Sequence, residues 1–306
     1  MPELPDVVVY IESLERRVLG ATLERIRIAS PFVLRSVEPP LVALEGRAVA
    51  GIRRLGKRIV LDFGDELFLA IHLMVAGRLR WRDPGARTPG RRGLAALDFP
   101  GGTVLFTEEG TKRRAWLRAV KGATSLAELD PGGLEVLDVG LEAFAERLRS
   151  ESHTLKRALT DPHLFSGIGN AYSDEILHRA QLSPARLTRR LSDGDVQRLH
   201  EATRDTLREW IQRLREEVGD GFPEKVTAFR EGMAVHGRYR QPCPRCGGAV
   251  QRIVYAENES NYCPTCQTEG RLLADRGLSR LLKRDWPRTL EELERRRSGA
   301  RGNVPG

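Results

Sequence analysis

Cysteine is scarce in these 306 residues. Four are present, Cys243, Cys246, Cys263 and Cys266, all within 24 positions of one another. None is left over for a disulfide framework, which suits a reducing, cytoplasmic setting. Long apolar runs are missing as well. No 18 consecutive residues are hydrophobic, which excludes a membrane-spanning helix, and the opening MPELPDVVVY lacks the basic-then-apolar order of a secretory leader. Acid is short relative to base, with 42 Asp and Glu against 50 Lys and Arg, a net charge of +8 and a pI near 9.7. An excess of this kind favours a polyanionic partner, although many basic proteins bind none. The balance of 40% hydrophobic and 30% charged residues is that of a soluble globular protein and excludes a wholly disordered chain. The length allows two domains.

Along the chain the pattern changes once. Residues 11–19 have apolar positions at helical spacing and stop at Gly20. From Thr22 to Phe106, short segments such as LERIRI, AVAGIRRL, RIVLDF, LFLAIHLMV, LAALDF and TVLFT are bounded by Gly, Pro or Asp and often alternate. They predict a β-sandwich or barrel of about seven or eight strands, with 82–93 as a Pro/Gly/Arg loop. FAERLRS, LKRALTD, NAYSDEILHRAQL and DVQRLHEATRDTLREWIQRLREEV then carry apolar stripes at i, i+3, i+4 and predict a helical second half. The domains expected are 1–121, a β-sandwich; 122–235, helical; 236–270, a metal-binding finger; and 271–306, a basic extension. That last segment holds ten Lys and Arg against five acids. Its end, RSGARGNVPG, is expected to be disordered.

Three local signals carry chemistry. Cys243-x2-Cys246-x16-Cys263-x2-Cys266 has the spacing of a tetrahedral zinc site with one pair of thiolates on each of two turns. Four protein ligands close such a site, so a single structural Zn²⁺ is expected. In LTDPHLFSGIGNAYSDEILHRAQL, two amphipathic helices are joined through Ser166-Gly167-Ile168-Gly169-Asn170. Glycines there let a phosphate approach the backbone at a helix start, or simply turn the chain. Met1-Pro2-Glu3 is either an ordinary terminal tail or, after methionine removal, a secondary amine able to form an iminium ion.

Together these segments resemble the formamidopyrimidine-DNA glycosylase / endonuclease VIII family, from Pro2 to about Gln267. Met-Pro-Glu-Leu-Pro-Asp-Val is similar to the family's N-terminal signature, and Leu55-Gly56-Lys57-Arg58 to its lysine-bearing turn. His72-Leu73-Met74 resembles the segment bearing a void-filling methionine, Gly167–Glu175 the helix–two-turns–helix, and the cysteine block the zinc finger. The resemblance implies an α+β multidomain fold: an N-terminal β-sandwich, a helical domain with the helix–two-turns–helix, and a C-terminal zinc finger. It implies a base-excision-repair DNA glycosylase with AP lyase activity, a monomer in the cytoplasm working at the nucleoid on damaged or abasic DNA. Pro2 is then the nucleophile, Glu3 moves protons at the sugar, and Lys57 contacts phosphate. Asn170 holds phosphate and Tyr172 packs beside it. Met74 fills the void left by the everted base, unless it is a core residue of its strand.

The sequence departs from that family at three places. In Thr111-Lys112-Arg113-Arg114-Ala115-Trp116 the arginines that contact DNA remain, but Ala115 replaces the wedging phenylalanine. Either the wedge is gone or Trp116 supplies it one residue late. Asn258 occupies the position of the zinc-finger arginine that grips phosphate, with acids on both sides, so that DNA contact is expected to be weaker. The loop 219–235 lacks the Gly/Ser/Thr-rich composition of the loop that caps an everted purine. The rival from another class is a protein of the same fold that binds damaged DNA without cutting it, which has no need of Pro2, Glu3 and Lys57. A zinc-ribbon protein of transcription or RNA metabolism accounts for the cysteines and the tail but not for the N-terminus.

Overall fold

Helix α1 (Leu4–Val18) starts seven residues before the apolar spacing of 11–19 implies. Pro5 sits in the first turn, where a missing N–H costs nothing, and a capping box between Glu3 and Asp6 closes the end. The Asp6 carboxylate accepts from the Glu3 N–H at 2.9 Å. The protein is described here from a computed structural model covering residues 1–110, 112–224, 229–255, 258–273, 287–293 and 295, without the side chains of Tyr255 and Asn258. Its contacts divide it into two units, Met1–Gly133 with Leu207–Thr227, and Leu134–Thr206 with Ala228–Gly306.

Among the described residues the first unit is built on eight strands: β1 (Arg25–Ile28), β2 (Gly51–Leu55), β3 (Arg58–Asp62), β4 (Leu67–His72), β5 (Gly77–Arg82), β6 (Gly93–Phe99), β7 (Gly102–Glu108) and β8 (Trp116–Lys121). They form two antiparallel four-stranded sheets, in the orders β1-β6-β7-β5 and β2-β3-β4-β8. Alternation decides which face meets the core. Ile59, Leu61, Leu69, Ile71, Leu117 and Ala119 of one sheet, with Leu97, Phe99, Val104 and Phe106 of the other, enclose a core that α1 completes with Val7, Tyr10, Leu14 and Val18. The intervening positions Val60, Phe68, Ala70 and Val120 form a second, small cluster with Leu126 of α2 (Ala123–Ala127). That packing places α2 in the first unit. Strand β8 lies where the sequence reading had no strand, and β4 ends at His72 instead of running to Val75.

The second unit holds α3 (Leu141–Arg149), α4 (Leu155–Thr160), α5 (Asn170–Arg179) and the first part of α6 (Asp193–Val218). From Leu207 onward α6 belongs to the first unit, where Arg215 makes a bidentate contact to Glu12, with nitrogen–oxygen distances down to 2.6 Å. A hairpin of β9 (Gln251–Tyr255) and β10 (Asn258–Tyr262), followed by α7 (Pro264–Thr268), completes the second unit. Of the basic extension, Leu272 N–H donates to Arg288 O at 2.8 Å and Leu273 N–H to the Tyr262 hydroxyl at 2.8 Å. The expectation of disorder for RSGARGNVPG lies outside the described residues. Among the described residues no helix is long and apolar enough to cross a membrane.

Candidate active site and zinc centre

In the first unit Pro2 and Glu3 are buried at the entry to α1. Burial pushes the terminal ammonium, here on Met1, below its ordinary pKa. Glu3 and Asp6 oppose this, while Arg78 and Lys57 reinforce it. A depressed pKa keeps an amine neutral, the state in which it can attack carbon. Lys57 occupies the two-residue turn between β2 and β3, following Gly56, whose φ of +61° is open to glycine at little cost. His72 closes β4. Its Nδ1 accepts from Met74 N–H at 3.0 Å, and burial pushes its pKa down to about 4, with Arg58 and Lys57 adding to the effect. Pro2, Glu3, Lys57 and His72 thus belong to one unit, and Lys57 acts electrostatically on both the terminus and the histidine.

The turn 73–77 is tight. A Cβ on Gly77 would lie 2.3 Å from the Leu73 carbonyl oxygen, so only glycine fits. Met74 takes φ +49° in this turn and is half-buried, whereas Val75 is 59% exposed. Met74 is therefore not a strand residue, and the apolar side chain most exposed by the turn is Val75. Arg78, at the start of β5, donates to the Gly77 carbonyl at 2.7 Å.

The segment 112–114 exposes Lys112, Arg113 and Arg114. Arg113 donates to Ser30 Oγ at 3.3 Å and to the Arg91 carbonyl. The buried Glu108 carboxylate accepts from the N–H groups of Arg114 and Ala115 at 3.0 and 3.3 Å. Ala115 points into the core, 3% exposed. Trp116 stacks on His72 with ring centroids 5.4 Å apart, and the Arg58 guanidinium lies 5.8 Å from its ring centroid. Trp116 is half-buried, and these contacts tie it to residues of β3 and β4.

In the second unit, α4 and α5 flank the loop 161–169, where Gly167 takes φ +80° and Gly169 caps α5. Asn170 is the first residue of α5. Its Nδ2 donates to the Glu259 carbonyl of β10 at 2.8 Å, so one of its amide protons is already committed. Tyr172 is buried, only 2% exposed. The backbone of Asn258 opens β10, and its side chain lies outside the described residues, as do Thr111, residues 225–228 of the loop, Ala256 and Glu257.

The charged core of α5 was not anticipated. Asp174 is buried and accepts from Lys156 Nζ at 2.6 Å, His236 Nδ1 at 2.8 Å, Ser260 Oγ at 2.9 Å and Asn261 N–H at 3.0 Å. Glu175 accepts from the N–H groups of Ala234, Val235 and His236 at 2.7 to 2.9 Å, and burial raises its pKa. The signal available was positional: residues 171–178 are buried all around α5, so acids there have to face partners and not water.

The four cysteine sulfurs lie within 4.8 Å of one another, with Cys246–Cys263 at 3.4 Å and Cys243–Cys266 at 3.9 Å. A zinc tetrahedron with Zn–S near 2.3 Å has sulfur–sulfur edges of about 3.8 Å, so the donor set fits one structural Zn²⁺.

Fold and site define a three-part architecture: a sheet sandwich, a helix–two-turns–helix and a four-cysteine zinc finger. Three family models match in the same order: the formamidopyrimidine-DNA glycosylase N-terminal domain over residues 1–114, its H2TH domain over 133–219, and the zinc finger found in FPG and IleRS over 240–268. The formamidopyrimidine-DNA glycosylase of Thermus thermophilus is 33% identical over 282 residues, covering 88% of this chain and all of the relative. An uncharacterized formamidopyrimidine-DNA glycosylase-like protein of Mycobacterium tuberculosis is 42% identical over 151 residues, 49% of this chain and 94% of its own. Among solved structures, the MutM (Fpg) protein of Thermus thermophilus superposes with a TM-score of 0.72 at 32% identity, over 87% of this chain and 98% of that one. Wild-type Lactococcus lactis Fpg bound to DNA containing an oxidized pyrimidine does so with a TM-score of 0.75 at 25% identity, over 87% and 100%. The chain belongs to the formamidopyrimidine-DNA glycosylase family.

Proposed function

We propose that this chain is a base-excision-repair DNA glycosylase with AP lyase activity, acting as a monomer on damaged or abasic DNA in the cytoplasm, at the nucleoid. The observation that carries the reading is the burial of Pro2 and Glu3 at the entry to α1; burial and the cations Arg78 and Lys57 hold the Met1 amine below its ordinary pKa, and the Pro2 amine that methionine removal exposes enters the same surroundings. Once methionine is removed, the Pro2 nitrogen attacks C1′ of the damaged nucleotide, a C–N bond forms, and the bond to the base breaks with its electron pair. A proton then reaches the leaving base. Ring opening gives an iminium ion, and Glu3 serves the sugar oxygen as proton donor. The iminium acidifies C2′, so loss of that proton expels the 3′ phosphate, and a second elimination expels the 5′ phosphate. Lys57 contacts a phosphate beside the lesion. Arg113, Arg114, Asn170 and Asn258 extend the hold on the backbone, the last two without charge. The turn 73–77 supplies the apolar filler for the emptied stack, with Val75 taking part beside Met74. The zinc has no open position and holds its hairpin in shape.

Borohydride trapping on abasic DNA tests this. The mature enzyme should give a covalent adduct, while Pro2→Gly and a form retaining Met1 should give little or none and still bind duplex. Binding without any adduct from mature protein would favour the rival, a damaged-DNA binder of the same fold.

A further inference from the structure

Helix α5 meets the zinc finger along a single stripe. Side chains four positions apart stand one above another on a helix, and Asn170, Asp174 and His178 keep that spacing. The first reaches the Glu259 carbonyl, and the second reaches Ser260 and the Asn261 N–H, all on β10. The third reaches a metal ligand: His178 Nε2 lies 3.2 Å from Cys243 Sγ. Both groups are dry, His178 being 6% exposed and Cys243 2%.

We propose that His178 is a positioning residue for the zinc, donating Nε2–H to the Cys243 thiolate and thereby coupling metal occupancy to the seating of α5. A zinc-bound thiolate has no proton to give, so the contact is attractive only when the imidazole is the donor. The acceptor is charged, which makes this a charge-assisted hydrogen bond in a water-free setting. Outer partners of this kind hold a ligand in orientation, and their loss commonly weakens metal binding by about 10- to 100-fold. The far end of the same helix carries Asn170, so the metal also fixes where that amide stands. Its consequence for phosphate rests on the proposed reading of Asn170, whereas the hydrogen bond does not.

The test uses zinc-loaded full-length protein and a colorimetric zinc chelator. His178→Phe, which fills the space without a donor, should release zinc roughly tenfold faster than wild type. His178→Gln, which keeps an N–H, should stay much closer to wild type. Release from the Phe variant at the wild-type rate, or from the Gln variant as fast as from the Phe variant, would overturn the proposal. Should the Phe variant fail to fold, cadmium-113-loaded wild type decides: scalar coupling between the His178 Nε2 proton and the metal is expected, and a ring protonated at Nδ1 alone contradicts it. Amide exchange across 170–178 should accelerate when zinc is stripped from the wild type, and unchanged exchange would refute the coupling. None of these readouts involves DNA, so their failure leaves the glycosylase reading standing.

Discussion

Arg78 shows how one side chain acts on a neighbour without bonding to it. Its guanidinium lowers the pKa of the Met1 amine, and the Pro2 amine exposed once Met1 is removed is expected to feel the same repulsion. Arg78→Met removes that repulsion, so the amine pKa rises and a smaller neutral fraction remains at low pH. The acidic limb of the single-turnover rate on abasic DNA should move to higher pH, with the plateau rate retained; an unmoved limb would contradict the assignment. His72 makes a complementary prediction about stability. Its pKa near 4 in the fold lies below its ordinary 6.5, so the unfolded chain takes up a proton first as pH falls. The neutral ring's contribution is intact above 6.5, declines between 6.5 and 4, and amounts to up to about 3 kcal/mol. His72→Asn keeps an acceptor for the Met74 N–H and cannot titrate, so urea unfolding of that variant should vary less between pH 7 and pH 5 than that of wild type.

At the level of elements, the hold of α5 on its surroundings rests on Asp174. One carboxylate serves Lys156 of α4, His236, and two residues of β10. Asp174→Ala leaves the Lys156 ammonium, only 13% exposed, with an uncompensated charge. Breaking a buried pair from one side costs about 3–5 kcal/mol. Denaturant unfolding should register a loss of that order, and a loss under about 1 kcal/mol would show the site to be wetter than its burial implies. Cys263→Ser should lose the metal and loosen 241–270, where the described apolar packing around the cysteines is a small patch with Val235 and Val250 and the rest of the hold is the β9–β10 ladder and the polar contacts to α5. Zinc stoichiometry with thermal unfolding checks this, and full metal content at unchanged Tm would oppose it.

Across the whole molecule, the substrate expectation follows from what is missing. Ala115 is buried in the core and Trp116 stacks on His72, so neither is expected to plug a duplex. Everting a paired base costs on the order of a few kcal/mol. Lesions in single strands, bubbles or mismatches avoid much of that cost and should be released at least roughly tenfold faster than 8-oxoguanine paired with cytosine, each 1.4 kcal/mol or so being one decade. Val75→Ala should slow the duplex reaction further and leave the single-strand reaction unchanged. Faster excision of duplex 8-oxoguanine than of any unpaired lesion would sink this reading. Much of this architecture was legible in the sequence, because zinc spacing, strand alternation and helical stripes are local patterns. Strand β8 escaped because Trp116-Leu117-Arg118-Ala119-Val120-Lys121 buries both of its faces in part and does not alternate cleanly. The turn at Met74 escaped, though the residue itself was singled out, because a left-handed φ leaves no mark on composition. Asp174, Glu175 and His178 escaped because, Lys156 apart, the partners described for them lie some 60 to 90 positions away. That last feature bears on how such proteins can be recombined. The cysteine block reads as a portable cassette, yet a finger grafted from a relative would bring its own residues to face Asp174 and His178. The smallest exchangeable piece therefore includes α5 with the finger, and chimeras joined near residue 236 should fold poorly unless both sides come from one parent.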